Sequence, residues 1–391
     1  MRLDIRELGQ FNHLASQGAQ RAAASLSQLT GVKMNVEVTD VSLVTDSVLQ
    51  ETFGGRNFVG VSVGLEGGLS GETVLAFERE RAETLQKLLL NKAGASQALA
   101  QSSVSELGNI MIGGFIDGWA NHLHEAINMT PPTYLEAKGT RILPRETLHA
   151  ASGKGVFLFE SRLEAMNVDL DFSIYMLPEY QEFVDLLSRS PSEPAIPANK
   201  LRAFDGLAKR GAHRAAEQIG MMTGMETTVN ISRIRFVPLT GVPAQVGDET
   251  MVGVVFKLTG MPSGYLVILF DERSAKSVAS AMMPGGMQED GIGAMTEGAV
   301  KELGNIMTSG FIDGWANVLG TSIEHSPPNY VHDMGSSIMS PVVSKLGQRQ
   351  DYAFVIDSAI EMGGQQGHCD IYALPDEREL AKTLSALPSN A

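Results

Sequence analysis

Apolar residues recur at three- and four-residue intervals through residues 9–30, an alanine-rich stretch, and that period predicts a helix. Segments 33–44, 57–66 and 69–77 are denser in β-branched and aromatic residues and read as strands, the last two joined around Gly67-Gly68. A helix is expected over 79–92, and a longer one from about Ser103 to Ile127, ahead of Pro131-Pro132. Strands follow near 133–137, 154–164 and 168–176, then a short helix at 179–188. The Gly-Gly pairs at 54–55, 67–68 and 363–364 read as turns. A helix followed by three strands, written twice, predicts an α+β fold whose sheet is antiparallel and built through hairpins.

The whole pattern then recurs. Residues 106–121, ELGNIMIGGFIDGWAN, and 302–317, ELGNIMTSGFIDGWAN, are identical at fourteen of sixteen positions, at an offset of 196. Phe11, Gly18, Arg21 and Gly31 answer Phe204, Gly211, Arg214 and Gly224 at an offset of 193, as Gly60, Gly67, Gly71 and Phe77 answer Gly253, Gly260, Gly264 and Phe270. Tyr175, Leu177 and Pro178 answer Tyr372, Leu374 and Pro375 at 197. The chain is a tandem duplication. Its seam lies in SRSPSEPAIPANK, where three prolines in a polar stretch cannot sustain a helix or a central strand. The expected organisation is domain one over 1–187, a proline-rich linker over 188–200 and domain two over 201–391.

Composition narrows the chemistry. With 391 residues, 43% of them hydrophobic and 19% charged, each half can bury its own core. A net charge of −15 argues against non-specific nucleic-acid binding and against a polybasic membrane anchor. The N-terminus lacks the apolar core of a signal peptide and no stretch has the apolar length of a membrane span, so a cytoplasmic protein is expected. The single cysteine, Cys369, excludes an intrachain disulfide and a thiolate cluster, and reads as a buried structural thiol. There is no HExxH, CxxC, GxxxxGK[ST] or GxGxxG motif. His122 and His124, two apart on a helix, face different sides and do not form a metal pair.

The repeated helix carries the candidate chemistry. Glu106 and Asn109 are three residues apart and share a face, and the pair recurs as Glu302 and Asn305. Asn is a poor residue for a helix interior, so its retention in both copies points to a task. Pro132 and Pro328 follow the two asparagines at the same distance, each the second of a Pro-Pro pair. A capping box, Ser103-Val104-Ser105-Glu106, would explain Glu106 as a backbone partner, but copy two has Ala299 at the capping position and keeps Glu302 and Asn305. Gly108, Gly114, Gly118, Gly304, Gly310 and Gly314 are expected to permit close helix packing, and Trp119 and Trp315 to anchor the core. Asp117 and Asp313 rank below the Glu/Asn pair as functional candidates.

The pattern Asp/Ser-x-x-x-Glu-x-x-Asn, then a spaced Pro, resembles the signature of the CheC-type chemotaxis phosphatases, the family of CheC, CheX and FliY, which acts on the response regulator CheY. Ser102, Glu106, Asn109 and Pro132 match it throughout; in copy two Glu302, Asn305 and Pro328 match, and Gly298 departs at the Asp/Ser position. The resemblance covers nearly all of both copies and implies two tandem CheC-like domains. It implies that Asn109 and Asn305 orient a water toward a phosphoaspartate and that Glu106 and Glu302 contact the regulator's active-site lysine. It also implies that Pro132 and Pro328 shape the groove beside them. The regulator would bring its own Mg²⁺, so no cofactor of this chain's own is expected. A second motif that the family often carries on its first helix falls on His13, Ser16 and Thr39, and in copy two on Gly206, Lys209 and Ser232; with neither acid nor amide, those sites are expected to be dead. The resemblance leaves two functions open. One is a phosphatase of phosphorylated CheY. The other is a non-catalytic adaptor of the same fold that binds the receptor deamidase CheD or flagellar-switch proteins.

Overall fold

The structure is a computed structural model that describes residues 2–90, 97–153, 155–188, 195–197, 200–282, 291–363 and 367–387. The chain divides into two compact units, Arg6–Ser190 and Pro191–Ala391, the latter together with Met1–Ile5. The elements of the first half are β1 (Arg2–Asp4), α1 (Ile5–Thr30), β2 (Met34–Val44), α2 (Asp46–Phe53), β3 (Asn57–Gly67), β4 (Gly71–Glu78), α3 (Arg79–Leu90), α4 (Gln97–Leu123), β5 (Ile127–Met129), β6 (Thr133–Lys138), α5 (Arg145–Gly153), β7 (Val156–Ala165), β8 (Asp171–Pro178) and α6 (Tyr180–Leu187). The second half repeats the series after β9 (Ala195–Pro197). It runs α7 (Leu201–Thr223), β10 (Thr227–Pro238), α8 (Val242–Val246), β11 (Thr250–Gly260), β12 (Gly264–Asp271), α9 (Glu272–Met282), α10 (Ala294–Leu319), β13 (Ile323–His325), β14 (Asn329–Met334), α11 (Gly335–Leu346), β15 (Tyr352–Met362), β16 (Gly367–Pro375) and α12 (Glu377–Ala386).

Each unit is α+β with an antiparallel sheet. The first orders its strands β2-β7-β8-β4-β3, with β5 and β6 end to end beyond β3. The second repeats this as β10-β15-β16-β12-β11, with β13 and β14 beyond β11. Even an irregularity is duplicated: the register shifts at Val36/Val38 in β2 and at Val229/Ile231 in β10, 193 residues later.

Helices cover both faces of each sheet, which is why β3 and β4 read as nearly unbroken apolar runs. On one face Phe58, Val74 and Ala76 pack under Leu49, Phe53, Ile142 and Ala151 of the α2 and α5 region. Val61, of opposite parity on β3, faces α4. Above that face Phe11 and Trp119 lie 4.9 Å apart, Trp119 and Phe159 4.8 Å, and Phe11 and Phe183 5.2 Å, a cluster that joins α1, α4, β7 and α6. Trp119 and Trp315 are both fully buried, as core anchors.

Four details differ from the reading of the sequence. The long helix starts at Gln97, because Gln97-Ala98-Leu99-Ala100-Gln101 are strong helix formers. Ser103 therefore lies inside the helix, its hydroxyl donating to the Leu99 carbonyl at 2.9 Å, and a capping box does not account for Glu106. The helix ends at Leu123, before Ile127, with His124 in the left-handed region at φ 54°, where copy two has Gly320 at φ 62°. The helices α2, α5, α8 and α11 supplement the expected helix-plus-three-strand unit. Of the expected linker, residues 189–194, 198 and 199 lie outside the described residues, while Ala195–Pro197 forms β9 and pairs antiparallel with β1. Gly363 leaves β15 at φ 58°, and its neighbour Gly364 lies outside the described residues.

Candidate functional site

In α4 the residues Val104, Leu107, Met111, Phe115 and Trp119 are buried at spacings of three and four, which fixes the helix's rotation. The opposite stripe, Ser102, Glu106, Asn109 and Asp117, is exposed. Gly108 sets how close this helix lies to the sheet: a Cβ there would stand 2.7 Å from Cβ of Val61 on β3. Gly304 repeats the arrangement over Val254 of β11, at 3.3 Å. The remaining glycines divide by copy. Gly314 and Gly310 of α10 lie close to α7, with the would-be Cβ 3.1 Å from Gly211 Cα and from Gln218 Cγ, whereas Gly114 and Gly118 stand at ordinary contact distance from Arg21. In copy two Glu302 is exposed and Asn305 is half-buried, so the Glu/Asn stripe is reachable from solvent in both copies. Gly298 is exposed, and Asp313 is exposed like Asp117.

The Pro-Pro pair is a bulge in the row formed by β5 and β6. Met129 pairs with Leu65 and Thr133 with Ser62. Between them, Thr130 N–H donates to Gly64 O at 2.9 Å and Gly64 N–H donates back to the Thr130 hydroxyl at 2.8 Å. Pro131 and Pro132 thus stand opposite the single residue Val63, where neither needs to donate a ladder hydrogen bond. Copy two uses the same clip, Ser326 N–H to Lys257 O at 2.9 Å and Lys257 N–H to the Ser326 hydroxyl at 3.0 Å, with Pro327 and Pro328 opposite Phe256. These hydroxyls were missed in the sequence, although Thr130-Pro131-Pro132 and Ser326-Pro327-Pro328 are themselves a repeat.

Two contacts place that bulge along the helix. In copy two the Lys301 ammonium, paired with Glu297, sits 5.8 Å from the ring centre of Tyr330, and Ser309 Oγ lies 3.0 Å from His325 Nε2. Lys301 and Ser309 are one turn before and one turn after Asn305, and Tyr330 and His325 flank Pro327-Pro328. These contacts hold the bulge alongside the turns of the helix on either side of Asn305. In copy one the contact on the C-terminal side is apolar: Met129 Cε lies 3.4 Å from the position of a Cβ on Gly113. Pro132 and Pro328 are both half-buried.

The rim of the stripe is partly apolar. Leu99 (53% exposed) and Ile110 (41%) lie on the helix that carries Glu106 and Asn109, Met129 (36%) lies on β5, and Met295 (39%) repeats Leu99 in copy two. Tyr134, which pairs with Val61, donates to Glu136 at 3.0 Å; burial and that carboxylate push its phenol up to about 12. The first-helix positions are occupied otherwise: His13 is exposed and bonds Gln17 at 2.9 Å, and Thr39 meets Ser161 at 3.3 Å. Ser16, Gly206 and Lys209 are half-buried, and the side chain of Ser232 lies outside the described residues. Cys369 is fully buried in β16, and burial pushes its thiol up. Among the described residues no group of three or more His, Cys, Asp or Glu is placed to hold a metal, and no helix is long and apolar enough to cross a membrane.

The model of the chemotaxis phosphatase CheX family matches residues 59–152 and again 252–355. A protein of Halobacterium salinarum, CheC1, named as a proposed CheY-P phosphatase, is 36% identical over 194 residues, 49% of this chain and 98% of its own length. Solved structures with similarity include Thermotoga maritima FliY, 19% identical, TM-score 0.37, over 46% of this chain and 93% of that one. Another is the CheX–CheY–BeF3–Mg complex of Borrelia burgdorferi, 16% identical, TM-score 0.29, over 42% and 96%.

Proposed function

Because the chain belongs to the chemotaxis phosphatase family of CheX, twice in tandem, we propose that it hydrolyses the phosphoaspartate of a CheY-type response regulator, with one site in each copy. The observation that carries this is the same Glu/Asn stripe standing open to solvent in both copies beside a hydroxyl-clipped Pro-Pro bulge. A phosphoaspartate is an acyl phosphate and already reactive. Its hydrolysis needs a water in line with the leaving carboxylate: the water oxygen bonds phosphorus, the bond from phosphorus to the carboxylate oxygen breaks, and the water's proton leaves with phosphate or solvent. Such transfer is dominated by positioning and electrostatics.

A carboxamide suits that task, since it both donates to and accepts from water without changing charge. Asn109 and Asn305 hold the water. Glu106 and Glu302, one turn away on the same stripe, form a charge-assisted contact with the regulator's active-site lysine and fix the docking register. Pro132 and Pro328 form the wall beside each asparagine and deny that wall backbone donors that would compete for the water. Ser102 lies further along the docking face. The magnesium ion belongs to the regulator. Leu99, Ile110 and Met295 give the rim apolar area to cover on docking.

The test is phosphate release from phosphorylated CheY. Asn109→Ala with Asn305→Ala should reduce the accelerated rate about 100-fold, or about 2.7 kcal/mol, while regulator binding and the folded state persist. Asn109→Ala alone should cost more than Asn305→Ala alone. A double variant as active as the parent overturns the mechanism. The adaptor reading is favoured at copy two by Gly298; a parent protein that binds phosphorylated CheY, or binds CheD, without accelerating phosphate loss would establish it.

A further inference from the structure

Copy two carries a run of polar contacts that the matching residues of copy one cannot make. The Ser309 hydroxyl stands 3.0 Å from the backbone carbonyl of Asn305 and 3.0 Å from Nε2 of His325, and its one proton serves one of these two acceptors at a time while the neutral ring donates through Nδ1. Nδ1 of His325 faces the Ser326 carbonyl at 2.9 Å, a contact the ring makes only as an N–H donor. The ring also stands edge-on to Phe256, 5.3 Å between centres. Ser326 is the residue whose hydroxyl clips the Pro-Pro bulge to Lys257. One series of polar contacts therefore runs from the backbone of Asn305 through Ser309 and His325 to the loop that forms the opposite wall.

The matching residues in copy one are Gly113 and Met129, where a thioether methyl lies 3.4 Å from the place a Cβ on Gly113 would take. Copy two also has Gly298 where copy one carries the hydroxyl of Ser102. Copy one has a hydroxyl at the start of the stripe and copy two has one at its end, where a histidine contacts it. A serine that bonds the carbonyl four residues back locally bends a helix. Here the carbonyl it holds is that of the residue whose amide faces the water.

We propose that Ser309 and His325 are a positioning pair for Asn305, peculiar to the second site. The pair rests on the reading of Asn305 as the water-orienting residue. It acts on the backbone that aims the amide, and it does not touch the regulator's phosphoryl group. Loss of the pair should therefore lower turnover and leave docking unchanged.

The experiment uses the full-length protein with Asn109→Ala, so that copy two supplies the activity, and phosphorylated CheY as substrate. Ser309→Ala and His325→Met are each expected to lower kcat at least 5-fold with KM within 2-fold of the background value. Ser309→Thr, which keeps the hydroxyl, should retain most of kcat. Neither loss should add to that of Asn305→Ala, because residues acting as one unit are not additive. An unchanged kcat, a rise in KM alone, or a threonine variant as impaired as the alanine overturns the pair. Thermal unfolding keeps these outcomes apart from misfolding: a variant that loses kcat only by losing its folded fraction also counts against the proposal. If the Asn109→Ala protein is as active as the parent and Asn305→Ala removes nothing from it, the reading of the asparagines fails, and the pair fails with it.

Discussion

Alanine at Gly108 should test whether the contact between helix and sheet holds the candidate site in place. The new Cβ would meet all three side-chain carbons of Val61 at 2.7–2.8 Å, closer than van der Waals contact allows, and Val61 is fully buried within β3. Neither partner has room to turn away, so α4 must lift from the sheet by several tenths of an ångström, carrying Glu106 and Asn109 with it. Overpacking of this kind costs about 1–3 kcal/mol, and the better helix propensity of alanine returns about 1 kcal/mol. At Gly304 the same atom would stand 3.3 Å from Val254, so small adjustments suffice and propensity offsets most of the cost. Gly108→Ala should destabilise copy one by about 1 kcal/mol, the middle of the net range, while Gly304→Ala stays within about 0.5 kcal/mol of the parent. The protein has two tryptophans, one buried in each copy, so urea unfolding followed by fluorescence in a Trp315→Phe background reports on copy one through Trp119. Phosphate release should fall for Gly108→Ala in a background where Asn305 is alanine, because the stripe has moved. A Gly108→Ala protein as stable as its parent, or a Gly304→Ala protein more damaged than it, would refute the reasoning.

The helix ends and a carboxylate-bound histidine supply the remaining expectations. His124 takes a left-handed conformation that copy two gives to Gly320, so His124→Gly should stabilise copy one by about 1 kcal/mol and Gly320→Ala should cost copy two a similar amount, both measurable as shifts in urea midpoint. His368 bonds Asp370 at 3.1 Å, and that bond, together with the surrounding carboxylates, raises its pKa above 6.5. The stability it contributes is full below the unfolded pKa near 6.5 and is lost as pH rises through the raised folded value. NMR titration of its ring should place the midpoint above that of an exposed histidine, and Asp370→Asn should bring it down.

The duplication, the antiparallel α+β unit and the Glu/Asn stripe were legible because each is written twice at a fixed offset. A face kept open in one copy is kept open in the other. The start of α4 was misplaced because Ser103 resembles an N-cap while the strong helix formers before it carry the helix upstream. Its end was misplaced because Pro131 served as the stop signal, whereas Ile127–Met129 leave the helix to pair with β3. The short α2 and α5 span only about two turns each, and their apolar residues matter only once the sheet is there to receive them. Ser309 and His325 are sixteen residues apart and come together only when the chain turns back along β11, so local spacing could not bring them into view.

The spacing between asparagine and proline is inherited from one strand. In copy one Val61 receives the helix and Gly64 holds the loop, three residues apart on β3; in copy two Val254 and Lys257 repeat that interval on β11. With both walls mounted on a common ruler, their separation does not depend on the side chains that the walls display. The helix surface was thus free to be recoated, glycine and methionine in one copy and serine and histidine in the other, without opening or closing the gap into which a partner must fit.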